Sequence, residues 1–132
     1  VQTEATTQTL MTRQCLNRAS ASGHPVPRCV RETLQPGIDY SSRTRHLPGC
    51  WIHDTLVVDW LLNQRVADGV DYHVDIELRA GATRGKSWRY RTPLRLDIGV
   101  PQQAGALVHV MQTVNNALLL EMIEKAFNGL QR

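Results

Sequence analysis

The chain has 132 residues, 42% hydrophobic and 20% charged, with a formal net charge of +3. That length and balance suit a single modest core and exclude an intrinsically disordered or collagen-like chain, while no uncharged apolar run reaches the ~18 residues of a membrane-spanning helix. The positive excess lies in the first 50 residues, where Arg13, Arg18, Arg28, Arg31, Arg43 and Arg45 face only Glu4, Glu32 and Asp39.

Residues 1–8 are rich in Thr and Gln and poor in apolar groups, as a flexible tether behind a cleavage or lipidation site would be, and residues 9–132 are expected to form one domain. Leu10, Met11 and Cys15 share a side at helical spacing, predicting a short N-terminal helix over about 9–19 that Gly23 and Pro25 close. Val26 to Leu34, interrupted by Pro27, reads as an irregular or edge segment, with a turn at Gln35-Pro36-Gly37. Residues 38–50 read as a polar, basic connection, and a loop of that length inside a compact domain is more often functional than inert. Cys29 and Cys50 each follow a turn-forming pair and would close a loop worth about 3 kcal/mol if joined; Cys15 is then left over.

Between Trp51 and Leu62 the apolar residues Ile52, Leu56, Val58, Trp60 and Leu62 alternate, which favours a strand over about 51–63, although Leu56 and Trp60 also fit a helix. Two further strands follow over about 70–79 and 87–98, each with its apolar groups at even positions. Cross-strand partners whose numbers sum to 166 would place Glu77 against Arg89, Asp75 against Arg91 and Leu78 against Trp88, leaving residues 81–85 as the connection. Leu107, Val110, Met111, Val114, Leu118, Met122 and Ile123 recur at three and four, predicting a long helix over about 103–129 that ends at Asn128-Gly129. The expected architecture is therefore α+β: a three-stranded antiparallel meander packed on a long C-terminal helix, with a short N-terminal helix beside it.

Little in these residues announces chemistry. His73, Asp75 and Glu77 line one strand face as metal ligands sometimes do, but the arginines expected opposite them make a solvated ion-pair face the simpler account. His53 with Asp54 or Asp59 could form a general acid/base pair. Gly85-Lys86-Ser87 lacks the spacing of a phosphate loop and leads into a strand, and no nucleophile elbow, zinc-helix or dinucleotide motif is present. No enzyme activity, metal or cofactor is thus expected.

The C-terminal helix carries more apolar surface than such a sheet can cover, so Leu118, Leu119, Met122, Ile123, Phe127 and Leu130 are expected to contact a protein partner, including a second copy of the chain. Arg43, Arg45 and His46, with Arg79, Arg84 and Lys86 at the hairpin tip, are expected to form its rim or an anion site. The reading that follows is a non-enzymatic, extracytoplasmic assembly module, periplasmic and of the lipoprotein type found in bacterial envelope complexes, tethered to the membrane ahead of Val1. Two alternatives stand beside it. One is a nucleic-acid-binding domain using the basic 28–46 segment and the 79–86 tip, in a cytoplasmic setting. The other is a small-ligand-binding or enzymatic α+β domain.

Overall fold

The order of elements in the computed structural model, which describes residues 3–91 and 106–130, is α1 (Thr3–Thr6), β1 (Leu10–Thr12), α2 (Arg13–Ala19), α3 (Pro25–Arg45), β2 (Gly49–Trp51) and α4 (Thr55–Leu62). A 3-10 turn (Gln64–Val66) then leads into β3 (Ala67–Ile76), followed by β4 (Ser87–Tyr90), β5 (Ala106–Val114) and α5 (Asn116–Gly129). The class is α+β, with one three-stranded antiparallel sheet in the order β4-β3-β5 and a two-stranded ladder of β1 and β2. The chain divides into two compact units, Val1–Asp68 with Gln112–Arg132, and Gly69–Met111.

The first unit is built on α3, where the sequence predicts an irregular segment and a basic loop. Pro25 and Pro27 fall in the first turn, where a missing N–H costs nothing, and the His24 ring accepts from the Val26 N–H at 3.2 Å as the N-cap. The four-residue spacing of Val26, Val30, Leu34 and Ile38 is itself helical, although Pro36-Gly37 looks like a turn. In the folded chain Pro36 sits inside the helix, and burial of Pro27, Ile38 and Ser41 outweighs its lost hydrogen bond. The helix stops at His46, whose left-handed φ of 54° reverses the chain while the Leu47 N–H reaches the Ser41 carbonyl.

Three other boundaries move. The strand expected over 51–63 is instead β2 followed by helix α4, with Leu56 buried and the Asn63 N–H returning to the Asp59 carbonyl. The short helix expected over 9–19 begins as β1 and turns helical only at Arg13, where the Thr12 hydroxyl caps the Cys15 N–H. The long helix expected over 103–129 is strand β5 and then α5, divided where Asn115 caps the Leu118 N–H at 3.1 Å. Strand β5, rather than 51–63, therefore supplies the third strand of the sheet. Residues 3–6 are helical, Ala5 is fully buried, and Gln8 bonds both the Gln112 carbonyl and the Val114 N–H at 3.0 Å.

In the second unit β3 and β4 pair in another register: His73 lies opposite Tyr90, Val74 opposite Arg89 and Asp75 opposite Trp88. The paired numbers sum to 163, so odd residues of one strand share a face with even residues of the other, and the ion pairs Glu77–Arg89 and Asp75–Arg91 do not form. The connection sets this register. Glu77 and Lys86 are joined backbone to backbone, and Gly85, at a φ of 85°, supplies the left-handed step that closes the loop onto the Glu77 carbonyl. Trp88 is consequently 47% exposed instead of buried. The rest of the strand expected to 98 falls outside the described residues.

Candidate functional site

A cavity of about 430 Å³ opens in the first unit between α3 and the chain that leaves β2. One wall is α3, through Cys29, Val30, Thr33 and Leu34; the other is Trp51, Ile52, His53, Asp54 and Thr55. That second wall is held rigidly. Leu10 pairs with Trp51, Met11 with Cys50 and Thr12 with Gly49, and the Ile52 N–H extends the ladder to the Thr9 carbonyl at 3.0 Å. Gly49 permits the close approach, since a Cβ there would lie 2.2 Å from the Met11 carbonyl oxygen.

Beyond this ladder the chain makes one turn before α4 begins, and that turn is His53-Asp54. Asp54 occupies the N-cap position, yet its side chain makes no capping hydrogen bond, which leaves its carboxylate for the solvent and the cavity. His53 lies with its ring centroid 5.8 Å from that of Trp51, the planes inclined at 54°. The Arg45 guanidinium rests 5.1 Å over the Trp51 indole. An imidazole, a carboxylate without a capping bond and an indole thus line one cavity at the end of a strand and the start of a helix.

The remaining sequence-derived candidates are dispersed. Arg43 and Arg45 lie in the last turn of α3 and His46 caps it, but Arg45 is engaged with Trp51, and Arg43 donates to the Asp39 carbonyl. Arg79, Arg84 and Lys86 belong to the connection of the second unit, where Lys86 sits 4.2 Å over Trp88. On α5, Leu119 is fully buried within its own unit; Leu118, Met122, Ile123 and Phe127 are half-buried, and Leu130 is exposed. Cys15, Cys29 and Cys50 are all free thiols: Cys29 is exposed at the cavity, whereas Cys50 is buried in β2, where burial pushes its thiol pKa up. Cys29 and Cys50, which would close a loop if joined, stand as separate thiols here.

Nor do the strand carboxylates gather a metal site: the Tyr90 hydroxyl donates to Asp75, the Arg79 N–H to Glu77, and Asp71 binds the His109 ring at 2.8 Å. Among the described residues no three His, Cys, Asp or Glu side chains are grouped to hold a metal. Thr33, Trp51 and Thr55 escape sequence reasoning, and Cys29 enters it only as half of a possible disulfide, because the cavity exists only once α3 forms the facing wall. The one available signal was the His53-Asp54 pair directly after a short apolar strand.

Neither a family model nor a curated protein sequence matches this chain. Among solved structures it is similar to the purine-preferring ribonucleoside hydrolase from Gardnerella vaginalis, with a TM-score of 0.74 at 22% identity over 97% of this chain and 38% of that one. It is likewise similar to the plant nucleoside hydrolase PpNRh1, with a TM-score of 0.76 at 13% identity over 96% of this chain and 40% of that one. At such identities the likeness establishes the fold, and the chain spans about two fifths of either neighbour's length. Both of those proteins are hydrolases, and the likeness overturns the expectation of a non-enzymatic, lipoprotein-type assembly module in favour of the enzymatic or ligand-binding alternative.

Proposed function

We propose that this chain supplies one part of a nucleoside-hydrolysing site, with the cavity between α3 and β2 as its nucleoside pocket and His53 and Asp54 as its reactive groups. The observation that carries this reading is that His53 and Asp54, adjacent in sequence and with the Asp54 side chain making no capping bond, line one cavity in a fold shared with two nucleoside hydrolases.

Hydrolysis of a nucleoside adds the oxygen of water to C1′ and breaks the bond from C1′ to the base nitrogen. Positive charge grows on the sugar as that bond stretches, and the departing base must accept a proton. His53 is suited to deliver that proton, because the N–H of a positioned imidazolium is a common general acid for a leaving group. Asp54 is suited to the sugar side, where a carboxylate offsets the developing cation and takes the proton that water loses. Thr33 and Thr55, whose hydroxyls both donate and accept, line the cavity where a sugar's hydroxyls would need partners.

The test is release of free base from inosine and uridine, together with the nuclear-magnetic-resonance shifts of the His53 ring on adding nucleoside. His53→Ala is expected to lower turnover about 10²–10⁴-fold while leaving nucleoside affinity within a few-fold. Asp54→Asn is expected to lower it comparably. If the His53 resonances stay still at millimolar nucleoside and no base is released, the reading is wrong.

A further inference from the structure

We infer that Trp51 is the surface on which the nucleobase stacks, that Arg45 is a positioning residue for it, and that the pair gives the pocket a preference for purine over pyrimidine nucleosides. The inference rests on the nucleoside-hydrolase reading and deepens it.

The cavity, at about 430 Å³, is within the ~300–1,000 Å³ typical of small-ligand sites. Its α3 wall offers aliphatic and small side chains, Val30 and Leu34 with Thr33 and Cys29. The one extended flat apolar surface in its lining is the Trp51 indole. Bases bind aromatic rings by stacking, and the bicyclic purine overlaps an indole over more area than a pyrimidine does. A base resting there would also lie near the inclined His53 ring, whose centroid is 5.8 Å from that of the indole, which is where the departing base needs its proton.

A stacking surface discriminates only if it is fixed. The Trp51 backbone is pinned by its pairing with Leu10, and its ring is covered by the Arg45 guanidinium at 5.1 Å. Arg45 does not line the cavity, so it holds the indole from outside the space a ligand would fill. Its own place is set by the end of α3, one residue before the left-handed His46. This cation–π contact gives Arg45 a role in the site different from the binding of an anion.

The whole chain, carrying Trp60→Phe and Trp88→Phe so that Trp51 alone reports, is titrated with inosine, adenosine, uridine, cytidine and free ribose. Fluorescence quenching and calorimetry are read together. Purine nucleosides are expected to quench Trp51 and to bind about tenfold more tightly than pyrimidine nucleosides. Trp51→Ala is expected to weaken purine binding about tenfold and pyrimidine binding less than threefold, leaving ribose unchanged, while Trp51→Phe keeps most of the preference. Arg45→Ala is expected to halve the preference or more, with Arg45→Lys restoring it. Circular dichroism checks each fold, and Trp51→Leu replaces the alanine variant if that one unfolds. Nucleosides that bind with the same selectivity whether or not Trp51 is present overturn this inference and leave the hydrolase reading standing. A wild-type chain that binds no nucleoside overturns both.

Discussion

The two compact units are held together by different means, and the cavity beside Trp51 and His53 lies in the one with the closed core. In the first unit, side chains from distant parts of the chain, Leu16, Ile38, Leu56, Val66 and Leu119, are all fully or almost fully buried. In the second, Tyr72, Val110 and Met111 are buried, but Ile76, Leu78, Trp88 and Leu107 remain substantially exposed. What organises the second unit is its ladder and contacts along its surface: Asp71 on His109, Arg89 over Tyr72 at 5.4 Å, and His73 stacked on Tyr90. A site that must hold reacting groups to within fractions of an ångström needs neighbours that cannot move. The cavity beside Trp51 and His53 has them.

That contrast means that one chemical change has unequal effects in the two units. Leu56 is fully buried one residue beyond Thr55, and Leu56→Ala is expected to cost about 2–5 kcal/mol, the largest loss of the substitutions considered for stability. Thermal or urea unfolding measures it, and a cost under about 1 kcal/mol would deny the first unit its closed core. The next effect belongs to the second unit. A Cβ on Gly69 would lie 2.5 Å from the Val110 carbonyl oxygen and 2.7 Å from the His109 ring, so β3 and β5 approach as they do only because that side chain is absent. Gly69→Ala is expected to cost about 1–3 kcal/mol through the shift it forces. Hydrogen exchange should show the loss confined to the amides of residues 69–91 and 106–111, with those of α3 unchanged. Equal acceleration across α3 would mean that the two units open together.

The same contrast explains what the sequence reveals. The α+β class, a three-stranded antiparallel sheet, a C-terminal helix and a short N-terminal helix are legible because alternation and three-to-four spacing are local signals. Helix α3 is not, because Pro36-Gly37 is locally a turn and only the burial of Ile38 and Ser41 makes the helix continue through it. The register of β3 and β4 is not legible either. It is decided by the conformation of Gly85 rather than by charge pairing, and exposed pairs contribute too little to overrule a turn. His53 and Asp54 can be picked out as an acid/base candidate, but the cavity beside them cannot, since half of its wall comes from α3. Fold class is written in short-range pattern, whereas the site depends on which distant segments bury one another.

A smaller effect comes from the one acid buried in the first unit. Asp59 is 6% exposed, its Oδ2 has no hydrogen-bond partner, and burial raises its carboxyl above the ordinary carboxylate range. With the folded pKa above the unfolded one, the native state binds the proton more tightly, so stability falls as pH rises through and above the ordinary value of about 3.9. At neutral pH the full cost of the buried charge is present. Asp59→Asn is therefore expected to stabilise the chain by about 1 kcal/mol at pH 7 and to do little near pH 3. Unfolding at the two pH values measures the difference, and an equal effect at both would mean that the carboxylate is solvated in the folded chain. Asp39 titrates with the opposite sign: its bond to Arg13 holds the carboxyl below its ordinary value, so its contribution is present above that value and fades as pH falls through the folded pKa.

The smallest effect is the most telling, because it repeats the Leu56 experiment on the other side of the comparison. Leu78 belongs to the same apolar pattern that marks residues 70–98 as the most regular stretch of the sequence, and by pattern alone it should be as costly to truncate as any core leucine. In the structure it is 80% exposed, the highest of the large hydrophobic residues among those described, and it lies beyond the paired part of β3. It has almost no apolar contact to lose, and the cavity term that dominates Leu56→Ala is absent. Leu78→Ala is thus expected to change stability by no more than about 0.5 kcal/mol. A loss approaching that of Leu56 would mean that Leu78 is covered in solution, and that the second unit buries its hairpin against a surface the chain does not itself present.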